Sequence, residues 1–338
     1  MSKQEELISI ILPVFNGQEF LAQAIESCLN QTYKNLELII VDDASEDKSL
    51  EISRAFAAKD NRLKIFSNKE NLKLPGSLNS GHAWANGNFI TWTSHDNVLK
   101  PDFLEKHFQN IVANKADISY SNYDMIFADG NIKREHHPGP PEYLLFGNQI
   151  GASFLYRKKV FEELSGYDEN LFLVEDYDFW LRAGMNFKYS KIEYNLYSYR
   201  IQPESLTAKI YNEREWNREH DQALSKMFLN LKEKLAWESL SVEFLLKLFK
   251  NDKSALRLFL NNKAAITKDF KKYCGKELNY SELQNELYRQ LRMVLKQHPE
   301  ANTFLNVLRI LRQERNILMH QKFNKKETIK LICKSLVN

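Results

Sequence analysis

Hydrophobic positions in the first two hundred residues fall in short strand-length runs. Amphipathic stretches of helical period separate them. Leu7-Ile-Ser-Ile-Ile-Leu-Pro-Val14 is the first run, followed by a turn at Asn16-Gly17 and a predicted helix from about 18 to 31 that sets Phe20, Leu21, Ile25, Cys28 and Leu29 on one face. Leu36–Val41 runs straight into Asp42-Asp43-Ala-Ser45, and Asp47 is placed to cap a helix over 48–58. Leu63–Phe66 is a third strand, a helix is expected over 76–86, and Gly87 stops it before a buried strand at 89–93. Alternation of this kind, with short connections, predicts an α/β fold: a mostly parallel sheet with helices on both faces.

The strand at 89–93 ends abruptly in Ser94-His95-Asp96-Asn97, and Pro101 opens the next helix. Beyond residue 114 the pattern changes. Strand-like runs at 117–123 and 125–127 meet a turn at Asp129-Gly130. The prolines of Glu135-His-His-Pro-Gly-Pro-Pro141 predict an irregular loop, a candidate lid or binding loop. A strand is expected at 151–156, a helix starting at Glu175-Asp176, and one or two aromatic strands over 189–201. From about 211 leucines, lysines and glutamates recur at helical spacing, with breaks at Asn251-Asp252, Cys274-Gly275 and His298-Pro299, which predicts about five helices. The expected division is therefore residues 1–210, an α/β domain, and residues 211–338, an all-helical region.

Charge adds an asymmetry that the net value of +3 conceals. Residues 211–338 carry 25 Lys/Arg and 15 Asp/Glu, which leaves 22 and 29 in residues 1–210 out of totals of 47 and 44. A basic helical half suits an anionic membrane surface. Nucleic acid is the weaker expectation, because the basic residues alternate with acids along helices and no recognised motif appears. The last amphipathic stretch, Thr328–Val337, is expected to dock on such a surface as a peripheral contact or to form a homodimer. No apolar run reaches the roughly 18 residues that span a bilayer, and Met1-Ser-Lys-Gln-Glu-Glu6 does not read as a signal peptide. Three scattered cysteines without metal spacing fit a reduced, cytoplasmic setting with membrane association through the basic helices.

Three places carry candidate chemistry. Asp96, at the carboxyl end of a buried strand, lies where ligands bind in open α/β sheets, and a lone carboxylate there can hold a hard cation whose shell is completed by substrate phosphates. The alternative is a polar turn that caps the following helix. Glu175 and Asp176 are either helix-start residues that answer the helix dipole or a fixed, ionised general base. His136 and His137, adjacent in a loop, are weaker metal candidates than solvent-facing side chains. A nicotinamide dehydrogenase is excluded, because Pro-Val-Phe-Asn-Gly follows the first strand in place of a G-x-G-x-x-G loop.

Taken in order, these pieces resemble the inverting family-2 glycosyltransferases of GT-A fold. They are Ile8-Ser-Ile-Ile-Leu-Pro-Val-Phe-Asn16, Ser27-Cys-Leu-Asn-Gln-Thr-Tyr33, Val41-Asp-Asp-Ala-Ser45, Ser77-Leu-Asn-Ser-Gly81, Gly87-Asn-Phe-Ile90, Ser94-His-Asp-Asn97, Glu175-Asp176 with Trp180 and Arg182, and Tyr199-Arg-Ile-Gln-Pro-Glu-Ser-Leu206. The resemblance covers about residues 1–210 and is silent on the rest.

It implies a nucleotide pocket lined by Pro13, Phe15 and Asn16, with Asp43 hydrogen-bonding the base, usually uracil, while Asp42 is structural. Ser94, His95 and Asp96 would occupy the place of the Asp-x-Asp motif, with Asp96 holding Mn²⁺ or Mg²⁺ on the donor diphosphate. Asp176 would be the base that deprotonates the acceptor hydroxyl, with Glu175 beside it. The activity implied is metal-dependent transfer of a hexose from a UDP-sugar to a glycan or lipid-linked acceptor in cell-surface polysaccharide synthesis. Two departures count against full activity: Ser94 and His95 stand where the motif commonly carries more acids, and Gln202 stands where many relatives place a histidine. They favour the alternative, a weakened nucleotide-sugar-binding or scaffold module.

Overall fold

The computed structural model describes residues 6–298, 303–320 and 323–335. Met1–Glu5, Pro299 and residues 336–338, all part of the readings above, lie outside the described residues. Two compact units emerge: residues 1–140 with 149–224, and residues 141–148 with 225–338.

The first unit is built on a nine-stranded mixed sheet in the order β3-β2-β1-β4-β8-β6-β9-β5, with β7 on β6. Its strands are β1 (Ile8–Val14), β2 (Leu36–Asp42), β3 (Leu63–Ser67), β4 (Phe89–Trp92), β5 (Val98–Leu99), β6 (Ile118–Ile126), β7 (Ile132–His136), β8 (Phe154–Arg157) and β9 (Tyr189–Arg200). All residues of β1 and β2 are buried, as expected of strands covered on both faces. β1 runs parallel to β2 and β4, and β2 parallel to β3, so Val14, Asp42 and Trp92 end at one edge. The parallel arrangement expected from the sequence holds for this half. Beyond β4 the sheet is antiparallel, except for the parallel pair β6–β9.

Helices α1 (Leu21–Leu29), α2 (Ser49–Ala57), α3 (Lys73–Trp84), α4 (Phe103–Asn114), α5 (Lys158–Leu164), α6 (Glu175–Gly184) and α7 (Leu206–Asn212) complete this unit with the start of α8 (Arg214–Leu235). A β-carbon at Gly81 on α3 would come within 2.4 Å of Ile11 Cγ2, so only glycine lets that helix lie so close to β1.

Three local expectations are corrected. Residues 132–136, whose end was expected to be loop, form β7 and pair antiparallel with β6, because the prolines begin only at Pro138. Pro141–Phe146 is a 3₁₀ turn, and the strand expected at 151–156 starts at Phe154. The helical tail contains α8, α9 (Ser239–Phe249), α10 (Ser254–Cys274), α11 (Tyr280–Gln297), α12 (Phe304–Gln313), α13 (Arg315–Leu318) and α14 (Lys325–Ser335), more than the five helices expected.

The second unit is helical apart from its inserted 141–148 segment. Leu144 and Leu145 are buried there, and the segment packs on α9 and α11. Phe146 meets Phe270 edge-on at 6.1 Å, and Asn279 N donates to Glu142 Oε1 at 3.2 Å.

Candidate active site

The first wall of the site is a lacework between two loops. Asn16 adopts φ +51, a left-handed conformation asparagine tolerates, and its Oδ1 accepts from Glu46 N at 2.9 Å. Asn16 N donates to Ser45 Oγ, Gly17 N to Ser49 Oγ, and Gln18 N to Asp47 Oδ2 at 3.0 Å. Asp47 also accepts from Ser49 N at the start of α2, 2.9 Å away. These bonds fix the ends of β1 and β2 together. Phe15, 46% exposed, stands out from them, whereas Pro13 is buried in β1 opposite Val41.

Asp43 is buried, and its Oδ1 accepts from Asn68 Nδ2 at 2.7 Å and from Leu72 N at 2.9 Å. Among the described residues no donor reaches its Oδ2. Asp42, also buried, has Oδ1 without a partner.

The turn after β4 forms the floor. His95 packs so tightly on Gly17 that a β-carbon there would come within 2.5 Å of the imidazole. Burial pushes the His95 pKa down, against the charges of Asp96 and Asp47. Asp96 is half-buried, and its Oδ2 accepts from Gln202 Nε2 at 2.8 Å. Among the described residues no donor reaches its Oδ1. Ser94 is half-buried beside them.

Arg200, 2% exposed, holds this turn in place, a role the sequence reading did not assign. Its Nε donates to the Asp96 carbonyl at 2.8 Å, its guanidinium reaches the carbonyls of Phe127 and Ala128, and NH2 donates to Gln23 Oε1 at 2.6 Å. Its backbone N–H donates to Asn97 Oδ1 at 2.7 Å, and its guanidinium lies over the Phe20 ring at 4.3 Å. The only signal in the sequence was the position of Arg200 inside Tyr199-Arg-Ile-Gln.

A second wall is formed by the start of α6. Leu173 is held at φ +78, a costly conformation for a branched residue and one that clusters at functional sites. Glu175 follows, 4% exposed, with Oε2 unpaired and its carboxyl turned toward the backbone N–H groups of Leu173 and Glu175. Burial and then the charge of Asp176 raise its pKa to about 8. Asp176 is only half-buried, and its Oδ1 accepts from Tyr177 N at 2.7 Å. Further along α6, Asp178 accepts from Arg182 Nε at 2.7 Å, and the guanidinium also reaches the carbonyls of Leu164 and Gly166. Trp180 is fully buried against Phe154. Both are framework residues.

Tyr199 links the two walls. Burial raises its pKa first, and the charges of Asp96 and Asp176 both raise it further. One hydroxyl thus senses both carboxylates. Burial raises the Tyr123 and Tyr167 pKa values, and the charge of Asp176 adds to both shifts. His136 stacks on Tyr123 at 4.6 Å and exposed His137 pairs with Glu135 at 3.4 Å, so neither joins Asp96. Among the described residues no group of three or more His, Cys, Asp or Glu forms a metal cage.

Residues 9–166 match the family model "Glycosyl transferase family 2". This part of the chain is a family 2 glycosyltransferase domain. An uncharacterised glycosyltransferase of Rickettsia conorii is 34% identical over 224 residues, 62% of this chain but 36% of that protein. The chain spans less than two thirds of the length of the curated relatives it matches. Two solved structures share the fold. TarS residues 1–349 of S. aureus, in complex with UDP-GlcNAc, has TM-score 0.58 and 14% identity over 92% of this chain and 90% of that one. The mannosyltransferase PcManGT of Pyrobaculum calidifontis, in complex with GDP-Man and Mn²⁺, has TM-score 0.54 and 13% identity over 99% and 87%. The domain therefore has the GT-A architecture, followed by a helical region. Among the described residues no helix is long and apolar enough to cross a membrane.

Proposed function

We propose that the domain transfers a hexose, with inversion, from a UDP-sugar to a hydroxyl of a glycan or lipid-linked acceptor. The reading places this reaction in cell-surface polysaccharide synthesis. The observation that supports it is that the charges of Asp96 and Asp176 both bear on the buried Tyr199 hydroxyl. In this reading one carboxylate serves donor activation and the other acceptor deprotonation.

On the donor side, the laced loops around Asn16 and Asp43 Oδ2, an acceptor with no protein donor, would receive the nucleoside. A hard cation completed by diphosphate oxygens needs few protein ligands, and Asp96 Oδ1, free of hydrogen bonds, fits that need. Asp96 would hold Mn²⁺ or Mg²⁺, with Ser94 and His95 flanking the diphosphate. Mn²⁺ accompanies GDP-Man in the PcManGT structure. Bound there, the cation would offset the negative charge of the departing UDP.

On the acceptor side, Asp176 takes the proton of the attacking hydroxyl as the oxygen bonds to the anomeric carbon and the bond to UDP breaks. Burial and the neighbouring Asp176 raise the Glu175 pKa to about 8, so Glu175 holds its proton below that pH. Incubation with UDP-sugars and Mn²⁺ tests the reading by UDP release. Asp176→Asn should lower turnover by about 10²–10⁴-fold with UDP affinity retained.

The second reading, a nucleotide-sugar-binding module, is favoured by one observation: Gln202 occupies one oxygen of Asp96. Tight UDP binding without release from any donor would support it.

A further inference from the structure

Helix α7 buries none of its side chains, yet its start is tied to the floor of the site. Ser205 caps it by accepting from Ala208 N at 3.2 Å and donates to the carbonyl of Gln202, whose amide holds Asp96. Thr207 Oγ1 lies 3.3 Å from the Tyr199 hydroxyl. One helical turn on, on the same face, comes Tyr211. Its ring is 81% exposed, and its proximity also opposes ionisation of Tyr199.

The neighbouring aromatic faces are occupied. Lys209 Nζ sits over the Trp216 ring at 5.6 Å and Lys73 Nζ over Phe172 at 4.8 Å, with the two rings edge-on at 6.4 Å. Phe172 stands four residues before Asp176. Among the described residues nothing stacks on Tyr211. An aromatic face left open one helical turn from Thr207, which meets the Tyr199 hydroxyl, with the polar Lys209, Asn212 and Glu213 next to it in sequence, is a poor seat for a lipid tail, which needs a contiguous apolar patch. It suits a sugar ring, whose C–H face is apolar and whose edge is hydroxylated.

We propose that Tyr211 forms an acceptor subsite on which a pyranose ring stacks, presenting a hydroxyl toward Asp176. The proposal rests on the transferase reading and narrows its acceptor to a glycan at this position. It also makes a residue outside the matched family segment a determinant of specificity.

The test is saturation-transfer NMR on the full chain with methyl β-D-glucopyranoside, cellobiose and N,N′-diacetylchitobiose as probes, with and without UDP and Mn²⁺. At least one probe should receive transfer at its ring C–H protons in the wild type. Tyr211→Phe should keep that binding, and Tyr211→Ala should weaken it about tenfold, as loss of one aromatic stacking contact implies. UDP affinity, measured separately, should be equal in all three proteins. Equal probe binding in Tyr211→Ala, or no transfer to any probe in the wild type, overturns the subsite. Loss of UDP binding in the wild type would instead strike the donor reading.

Discussion

Gln202 donates its side-chain amide to Asp96 Oδ2 at 2.8 Å, joining the turn after β4 to the residue two beyond β9. An amide N–H cannot ligate a cation, so the bond fixes the carboxylate while leaving Oδ1 as its single open oxygen. Gln202→His puts an imidazole where the amide donor stands. Mn²⁺ titrations in the presence of UDP should show tighter metal binding in that variant, by several-fold. Asp96→Asn should abolish the Mn²⁺ dependence of UDP binding. Equal Mn²⁺ affinity in wild type and Asp96→Asn would remove Asp96 from the metal assignment.

Glu175 gives a pH signature. Its folded pKa of about 8 lies above the ordinary glutamate value of 4.5, so the folded protein binds the proton more tightly than the unfolded chain does. Stability is then fullest below the unfolded pKa and is lost as pH rises toward about 8. Glu175→Gln removes this titration. Melting curves between pH 5 and pH 9 should show a smaller drop for the variant than for the wild type, with the gap widest at the alkaline end. Parallel curves would mean that Glu175 is ionised throughout.

Arg200→Lys tests the buried staple. Lysine cannot reach the carbonyls of Asp96, Phe127 and Ala128 and the Gln23 amide at once. A buried charged hydrogen bond is worth roughly 1.5–3 kcal/mol, so urea unfolding should show a loss of at least about 2 kcal/mol. The displaced turn should also weaken UDP binding in the fraction that remains folded.

Much of this was legible because local pattern and tertiary role agree. β1 and β2 read as buried strands from their unbroken apolar runs, and Glu175 and Asp176 do open a helix. Other features depend on partners distant in the chain. The two-residue strand β5 exists only through β9, some hundred residues later, and no window around Val98 contains that information. Three of the four acceptors of the Arg200 guanidinium are backbone carbonyls, which leave no trace in side-chain type. The break between α8 and α9 falls at Ala236, φ +48, where no glycine or proline announces it.

The exposed face of α14 carries Lys325, Lys326, Lys330 and Lys334 around Ile329 and Cys333, while Thr328, Leu331 and Ser335 face inward. A two-fold dimer through that face would set lysines against lysines, which makes an anionic lipid surface the partner to test. Sedimentation with phosphatidylglycerol vesicles should retain the wild type at low salt. The triple change Lys326→Glu, Lys330→Glu, Lys334→Glu should release it, at about 1 kcal/mol per lysine. Unchanged partitioning would end the membrane role of this helix.

The inserted 141–148 segment has a consequence for how the molecule can be cut and rebuilt. Because Leu144, Leu145 and Phe146 find their packing among helices that arrive only after residue 225, the polypeptide passes between its two bodies three times. Truncation at 224 would strip an apolar loop of its seat and leave a sticky remnant between β7 and β8. The helical portion is thus no detachable cassette: a graft that exchanges it must carry a matching insert from the middle of the catalytic domain.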